Sequence, residues 1–152
     1  MSRMPVTRTT LVAWMVAGLL SIAVHAQAQD ATAAQTIARQ AVDHLISLEE
    51  GVKKQNRRYV PYADIVKLPN FVSGAPEPLR ARLSTDPDNS VAGYIVHLEA
   101  VNGGDGFIVM VVEQETGFAV RSDDSGFIQV GTSLDPETKK PSRTFLHFAR
   151  AR

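Results

Sequence analysis

"GYIVHLEAVNGGDGFIVMVV", residues 93–112, holds two apolar runs joined by a glycine-rich loop. In the first run Tyr94, Val96 and Leu98 alternate with Ile95, His97 and Glu99, the period of a strand with one buried face. The second run answers it after a loop over Asn102–Gly106, so the stretch is a β-hairpin. Placing Val101 opposite Phe107 sets Val96 against Val112 and Leu98 against Met110, which gives one wholly apolar face. A second hairpin follows in "FAVRSDDSGFIQV", residues 118–130. Its hinge, Asp123 to Gly126, suits a type I turn in which aspartate starts the reversal and glycine takes the left-handed position.

Outward from the hairpins toward the N-terminus lies a helical pattern. Ala34, Ile37, Ala38, Ala41, Val42, Leu45, Leu48 and Val52 recur at threes and fours, so one face of the helix is apolar. Asp30 is placed to cap its start near Ala31. Glu49 and Glu50 stand four residues before Lys53 and Lys54, the favourable order for helical ion pairs, and carry the helix through Gly51. Lys53, Lys54, Arg57 and Arg58 then gather where cations suit the helix dipole. Such a cluster is also able to meet an anionic lipid or protein.

Between helix and hairpins, residues 59–87 are rich in breakers, with short helical pieces expected at Ala63 to Leu68 and Pro78 to Leu83. Tyr59, Tyr62, Ile65, Leu68, Phe71 and Leu79 are too apolar for a free linker, so this connection should pack down. Beyond the second hairpin the tail ends in Phe145, Leu146, Phe148, Arg150 and Arg152, read as a last strand covering the sheet edge, with a partner-binding strand whose arginines meet an acidic surface as the alternative. The fold class expected is α+β: an N-terminal amphipathic helix packed on an antiparallel sheet of about four strands.

The first residues differ from the rest. Arg3 and Arg8 precede an apolar run from Leu11 to Val24, and small residues then favour a cut after Ala26 or after Ala28. That is the layout of a secretory signal peptide, with a buried N-terminal helix or an uncleaved anchor as the alternative. The run has about fourteen residues where a membrane-crossing helix needs roughly 20. The expected organisation is a signal peptide over 1–26 and one globular domain over 27–152, with no stable membrane span once the signal is removed.

Composition is that of a globular chain, 44% hydrophobic and 21% charged. Losing Arg3 and Arg8 leaves 14 basic residues against 16 acidic ones. That balance carries no nucleic-acid signature. The chain has no cysteine, which excludes disulfides, a lipid anchor on cysteine and thiol chemistry.

The helix, "NRRYVPYADIVKL", "GYIVHLEAVNGGDGFIVMVV" and "FAVRSDDSGFI" together resemble the soluble part of type IV pilins and of the pseudopilins of type II secretion. The resemblance covers residues from about 35 to 131 and implies the globular fold. The family's leader, which ends in glycine before Phe-Thr-Leu-Ile-Glu and a long apolar stem, has no counterpart here, since Leu11 to Val24 contains no glutamate. The resemblance therefore does not extend to polymerisation.

Candidates for chemistry are few. Asp123 and Asp124 are read as turn residues. "DPDNS", with Asp86, Asp88, Asn89 and Ser90, is the better calcium candidate, yet it lacks the glycine and final glutamate of an EF-hand. His25, His44, His97 and His147 stand singly, without metal-ligand spacing. His97 and Glu99 share a strand face and would make an acid/base pair, but no nucleophile or oxyanion motif accompanies them. "NGGDG" lies between strands, whereas a phosphate-cradling loop opens a helix. No catalytic, cofactor-binding or metal residue is assigned, and no cofactor. The reading is a non-catalytic, monomeric or weakly associating pilin-like domain, periplasmic or secreted, with a protein partner in the cell envelope. The rivals are a small periplasmic ligand or cation binder and, behind it, a small enzyme.

Overall fold

The structure is a computed structural model and describes residues 9–135, 137–142 and 147–150. The chain divides into two compact units, residues 1–34 and 35–152. Arg3, Arg8, Phe145, Leu146 and Arg152 lie outside the described residues, as do the side chains of Leu11 to Val24, His25, His147, Phe148 and Arg150.

Helix α1 (Thr9–Asn56) starts in the first unit and ends in the second. Asp30 therefore lies inside the helix and does not cap it, contrary to the sequence expectation. The residues around it, "AQAQDATAAQ", contain no glycine or proline and are mostly strong helix formers, so nothing there stops the helix. In the second unit Ile37, Ala38, Ala41, Val42, Leu45, Leu48 and Val52 are all buried, as the periodicity predicts, with Ala34 half-buried. Each large member of that stripe contributes about 1.5–3 kcal/mol by leaving water.

The sheet is an antiparallel meander in the order β1-β2-β3-β4-β5. Its strands are β1 (Tyr94–Val101), β2 (Gly106–Glu113), β3 (Phe118–Asp123), β4 (Gln129–Thr132) and β5 (His147–Arg150). The tail thus supplies an edge strand, and the sheet has five strands where about four are expected. The fold is α+β, with α1 on one face of the sheet: its stripe shares one buried cluster with Val96, Leu98, Phe107, Val109, Val111 and Val120.

The register of the first hairpin differs by one residue from the expectation. Val101 pairs with Gly106, so Val96 meets Val111 and Leu98 meets Val109. A one-residue shift turns every side chain of a strand to the other face. Met110 and Val112 accordingly leave the helix side and form a second cluster with Ala119 and the half-buried Ile95. The sequence does not discriminate here because "FIVMVV" is apolar on both faces. The loop decides: Asn102, Gly103 and Gly104 all adopt positive φ, and the reversal is complete by Asp105, one residue early.

The connection does pack down. Tyr59, Ile65, Phe71 and Leu79 are buried, while Tyr62 and Leu68 are half-buried against the same core. Its short helices are α2 (Tyr62–Ile65) and α3 (Asn70–Ser73), followed by a 3-10 turn at Arg80–Arg82. α3 was not expected, since its four residues are too few to show a period. It is tied to α1 through His44, whose Nε2 lies 2.7 Å from the carbonyl oxygen of Phe71.

Candidate functional site

The densest polar arrangement gathers where α1 ends. Arg57 takes a left-handed conformation (φ 61°) and donates its amide to the Lys53 carbonyl, so the chain folds back along the helix it has left. Tyr59 and Val60 then supply the partners that the helix carboxylates were expected to find in lysines. Glu49 Oε2 accepts the Val60 amide at 3.2 Å, and Glu50 Oε1 accepts the Tyr59 hydroxyl at 2.9 Å. Among the described residues neither Glu49 with Lys53 nor Glu50 with Lys54 forms an ion pair. Lys53 instead lies 4.1 Å from the centre of the Tyr59 ring and donates to the Asp105 carbonyl at 3.4 Å.

The β1–β2 loop closes this arrangement from the sheet side. Tyr59 donates its amide to Gly104 at 2.9 Å, and its ring meets Phe107 edge-on at 4.7 Å. A Cβ on Gly104 would stand 3.0 Å from the Tyr59 oxygen and 3.1 Å from Arg58 Cβ, at a φ of 94°. Gly104 of "NGGDG" therefore serves a close approach of backbone to backbone.

Glu49 is the unusual member. It is fully buried, and its Oε1 has no hydrogen-bond partner. Burial, with a smaller contribution from the neighbouring Glu50 charge, pushes its carboxyl up to about 6 against the opposing Val60 hydrogen bond. Burial likewise raises the Tyr59 hydroxyl, and the adjoining Tyr59 side chain raises the Lys53 ammonium. Sequence reasoning missed the burial of Glu49, although a signal was present: it stands four residues after Leu45 and three before Val52, inside the apolar stripe. This set fastens the helix end to the β1–β2 loop.

The acidic stretches are turns. Asp123 Oδ1 accepts the Ser125 amide at 3.0 Å as well as its hydroxyl, and these bonds hold the Asp123 carboxyl below its ordinary range. Gly126 donates its amide to the Asp123 carbonyl at 2.9 Å with φ 71°, the left-handed glycine of a type I turn with a bulge. Asp124 is exposed, with Oδ1 near the backbone of Gly106. Gly126→Ala is expected to cost about 1 kcal/mol by placing a Cβ at positive φ, whereas Asp124→Asn should leave stability unchanged. Urea melts of both variants with calcium and with chelator test this. A calcium-dependent gain abolished by Asp124→Asn alone would mean that the loop is a cation site.

"DPDNS" is a turn as well. Asp86 Oδ1 accepts the Asp88 amide at 3.1 Å, and the loop closes through the bridge Leu83–Val91. Ser90 is buried and hydrogen-bonded to the Tyr62 hydroxyl, so it faces the core and is not a loop ligand. Another turn went unnoticed in the sequence: Glu113, buried at the end of β2, accepts the amides of Glu115 and Thr116 and the Thr116 hydroxyl. Burial pushes its carboxyl up, but those hydrogen bonds outweigh it and leave it below the ordinary value.

His97 Nε2 lies 3.5 Å from Glu99 Oε2, both side chains well exposed on the sheet face away from α1. The expected juxtaposition is present, on an open strand. His44 is occupied by the Phe71 carbonyl. Among the described residues no group of three or more histidine, cysteine or acidic side chains is placed to hold a metal ion. Phe127 is 45% exposed just after the Gly126 turn.

The chain matches no protein-family model, no curated protein and no solved structure.

Proposed function

We propose that this chain is an exported, non-catalytic pilin-like domain with a protein-interaction or structural role in the cell envelope. The observation that supports it most is the order of elements within residues 35–152. A helix with one apolar stripe is followed by a packed connection and then by an antiparallel meander. This is the arrangement that the resemblance to pilins and pseudopilins implies. The polar groups found are consistent with such a role, since Glu49, Glu113, Asp123 and Asp86 each hold backbone in a turn or helix exit.

Export rests on the first residues of the sequence. Among the described residues no helix is long and apolar enough to cross a membrane. A cut after Ala26 or Ala28 would leave a helix beginning at Gln27 or Gln29, with Asp30 in its first turn, where a carboxylate suits the helix dipole. Intact-mass measurement of the protein recovered from the envelope is expected to give a chain that starts at Gln27 or Gln29. A species retaining Met1 and held in the membrane would overturn the localisation. Isolation of the processed protein with what co-purifies from envelope extracts then identifies the partner.

A further inference from the structure

β1 is an edge strand. It pairs with β2 alone, over eight consecutive residues from Tyr94–Glu113 to Val101–Gly106, without a bulge and without a proline. Soluble proteins generally blunt so long an edge, because its unpaired amides and carbonyls are a template for another strand.

The backbone phase can be read from one bond. Gln114 donates its amide to the Gly93 carbonyl, and these two residues stand in the same register as the β1–β2 pairs. With the alternation of an antiparallel ladder, Ile95, His97 and Glu99 turn their backbone groups to β2, and Val96, Leu98 and Ala100 turn theirs to the free edge. No hydrogen bond joins these three edge-facing residues to another described segment.

The side chains make the edge complementary to itself. Reading "IVHLEAV" from Ile95 to Val101 against its own reverse sets Leu98 on Leu98, Val96 on Ala100, Ile95 on Val101 and His97 on Glu99. Both His97–Glu99 pairs in that register set an imidazole against a carboxylate, and each falls on the sheet face away from α1. Sliding by two residues sets His97 against His97 or Glu99 against Glu99, which places like groups face to face. A slip of one residue pairs opposite faces of the two strands. Only the register centred on Leu98 satisfies charge, face and backbone together.

We propose that two copies of this chain associate antiparallel along β1 about a two-fold axis at Leu98. The union forms one continuous sheet, with the α1 helices of both copies on the same side. The pairs Leu98–Leu98 and Val96–Ala100 each exchange two backbone hydrogen bonds, and His97 of each copy meets Glu99 of the other. Of the three edge-facing residues Ala100 is half-buried, while the side chains of Val96 and Leu98 lie in the core cluster beneath the sheet. The proposal goes beyond the envelope role and stands whether or not the chain is exported.

Sedimentation equilibrium of the full chain, its single substitutions His97→Glu and Glu99→Lys, and the double swap tests it. A dimer is expected for the unsubstituted chain. His97→Glu sets carboxylates face to face across the axis twice, and Glu99→Lys removes both imidazole–carboxylate contacts; each should raise the dimer dissociation constant about tenfold or more, and the double swap should restore it. A chain that stays monomeric, or an assembly indifferent to both substitutions, would overturn the proposal. Hydrogen exchange of the unsubstituted chain gives a reading independent of the variants. The amides of Val96, Leu98 and Ala100 should lose protection on dilution while those of Ile95 and His97 keep it. Equal behaviour of the two sets excludes the pairing.

Discussion

Leu45→Ala is expected to lower the free energy of unfolding by about 2–5 kcal/mol, the cost of deleting a buried leucine together with the cavity it leaves. Leu45 is 2% exposed and belongs to the cluster formed with Val96, Leu98, Val109 and Val111. The spread depends on how far the site collapses. Its neighbours in the stripe are the small Ala38 and Ala41 and the branched Val42, and β-branched side chains have little rotamer freedom with which to fill a void. The upper half of the range is therefore expected. Urea unfolding measures it. A midpoint unmoved by the substitution would place the stripe in water and remove the helix-on-sheet layout. The observed register adds a second test. Val112 lies on the opposite face of β2, in a separate cluster, so Leu45→Ala and Val112→Ala should be additive to within about 0.5 kcal/mol. Strong coupling between them would restore the register in which Val112 faces the helix.

Glu49→Gln should change how stability depends on pH. Folding raises this carboxyl from 4.5 to about 6, so the folded chain binds the proton more tightly than the unfolded chain does. Its contribution is complete below the unfolded value and is lost as pH rises through the folded one. Above that window the folded state carries a buried carboxylate at a cost on the order of 2 kcal/mol, from the shift of about one and a half units. Glutamine keeps the shape and an acceptor for the Val60 amide but does not titrate. The difference in unfolding free energy between variant and unsubstituted chain should therefore grow in favour of glutamine from pH ~4.5 to pH ~6 and then level off. Urea melts across that range read the difference, and parallel curves would mean that Glu49 is solvated or ionised throughout. An unpaired buried oxygen is costly. Its retention beside Glu50 is consistent with a clamp whose backbone bond to Val60 matters more than the charge.

The sequence by itself determined the elements whose pattern carries a strong period or a specific turn chemistry. The helix stripe from Ile37 to Val52, the two hairpins and the Asp123–Gly126 reversal follow from apolar spacing and from the left-handed tolerance of glycine, which are local properties. The tertiary structure decided what local pattern leaves degenerate. "FIVMVV" is apolar on both faces, so either register of β2 satisfies its side chains, and the positive-φ run at Asn102–Gly104 made the choice. Glu49 reads as a surface ion-pair partner until Arg57 turns the chain back and Val60 reaches it across eleven residues. The same holds for His97 and Glu99, whose spacing along one strand is plain in the sequence. Their meaning changes once β1 proves to be an edge, because which strand lacks a neighbour is settled by the closing of the whole sheet and by no residue within it.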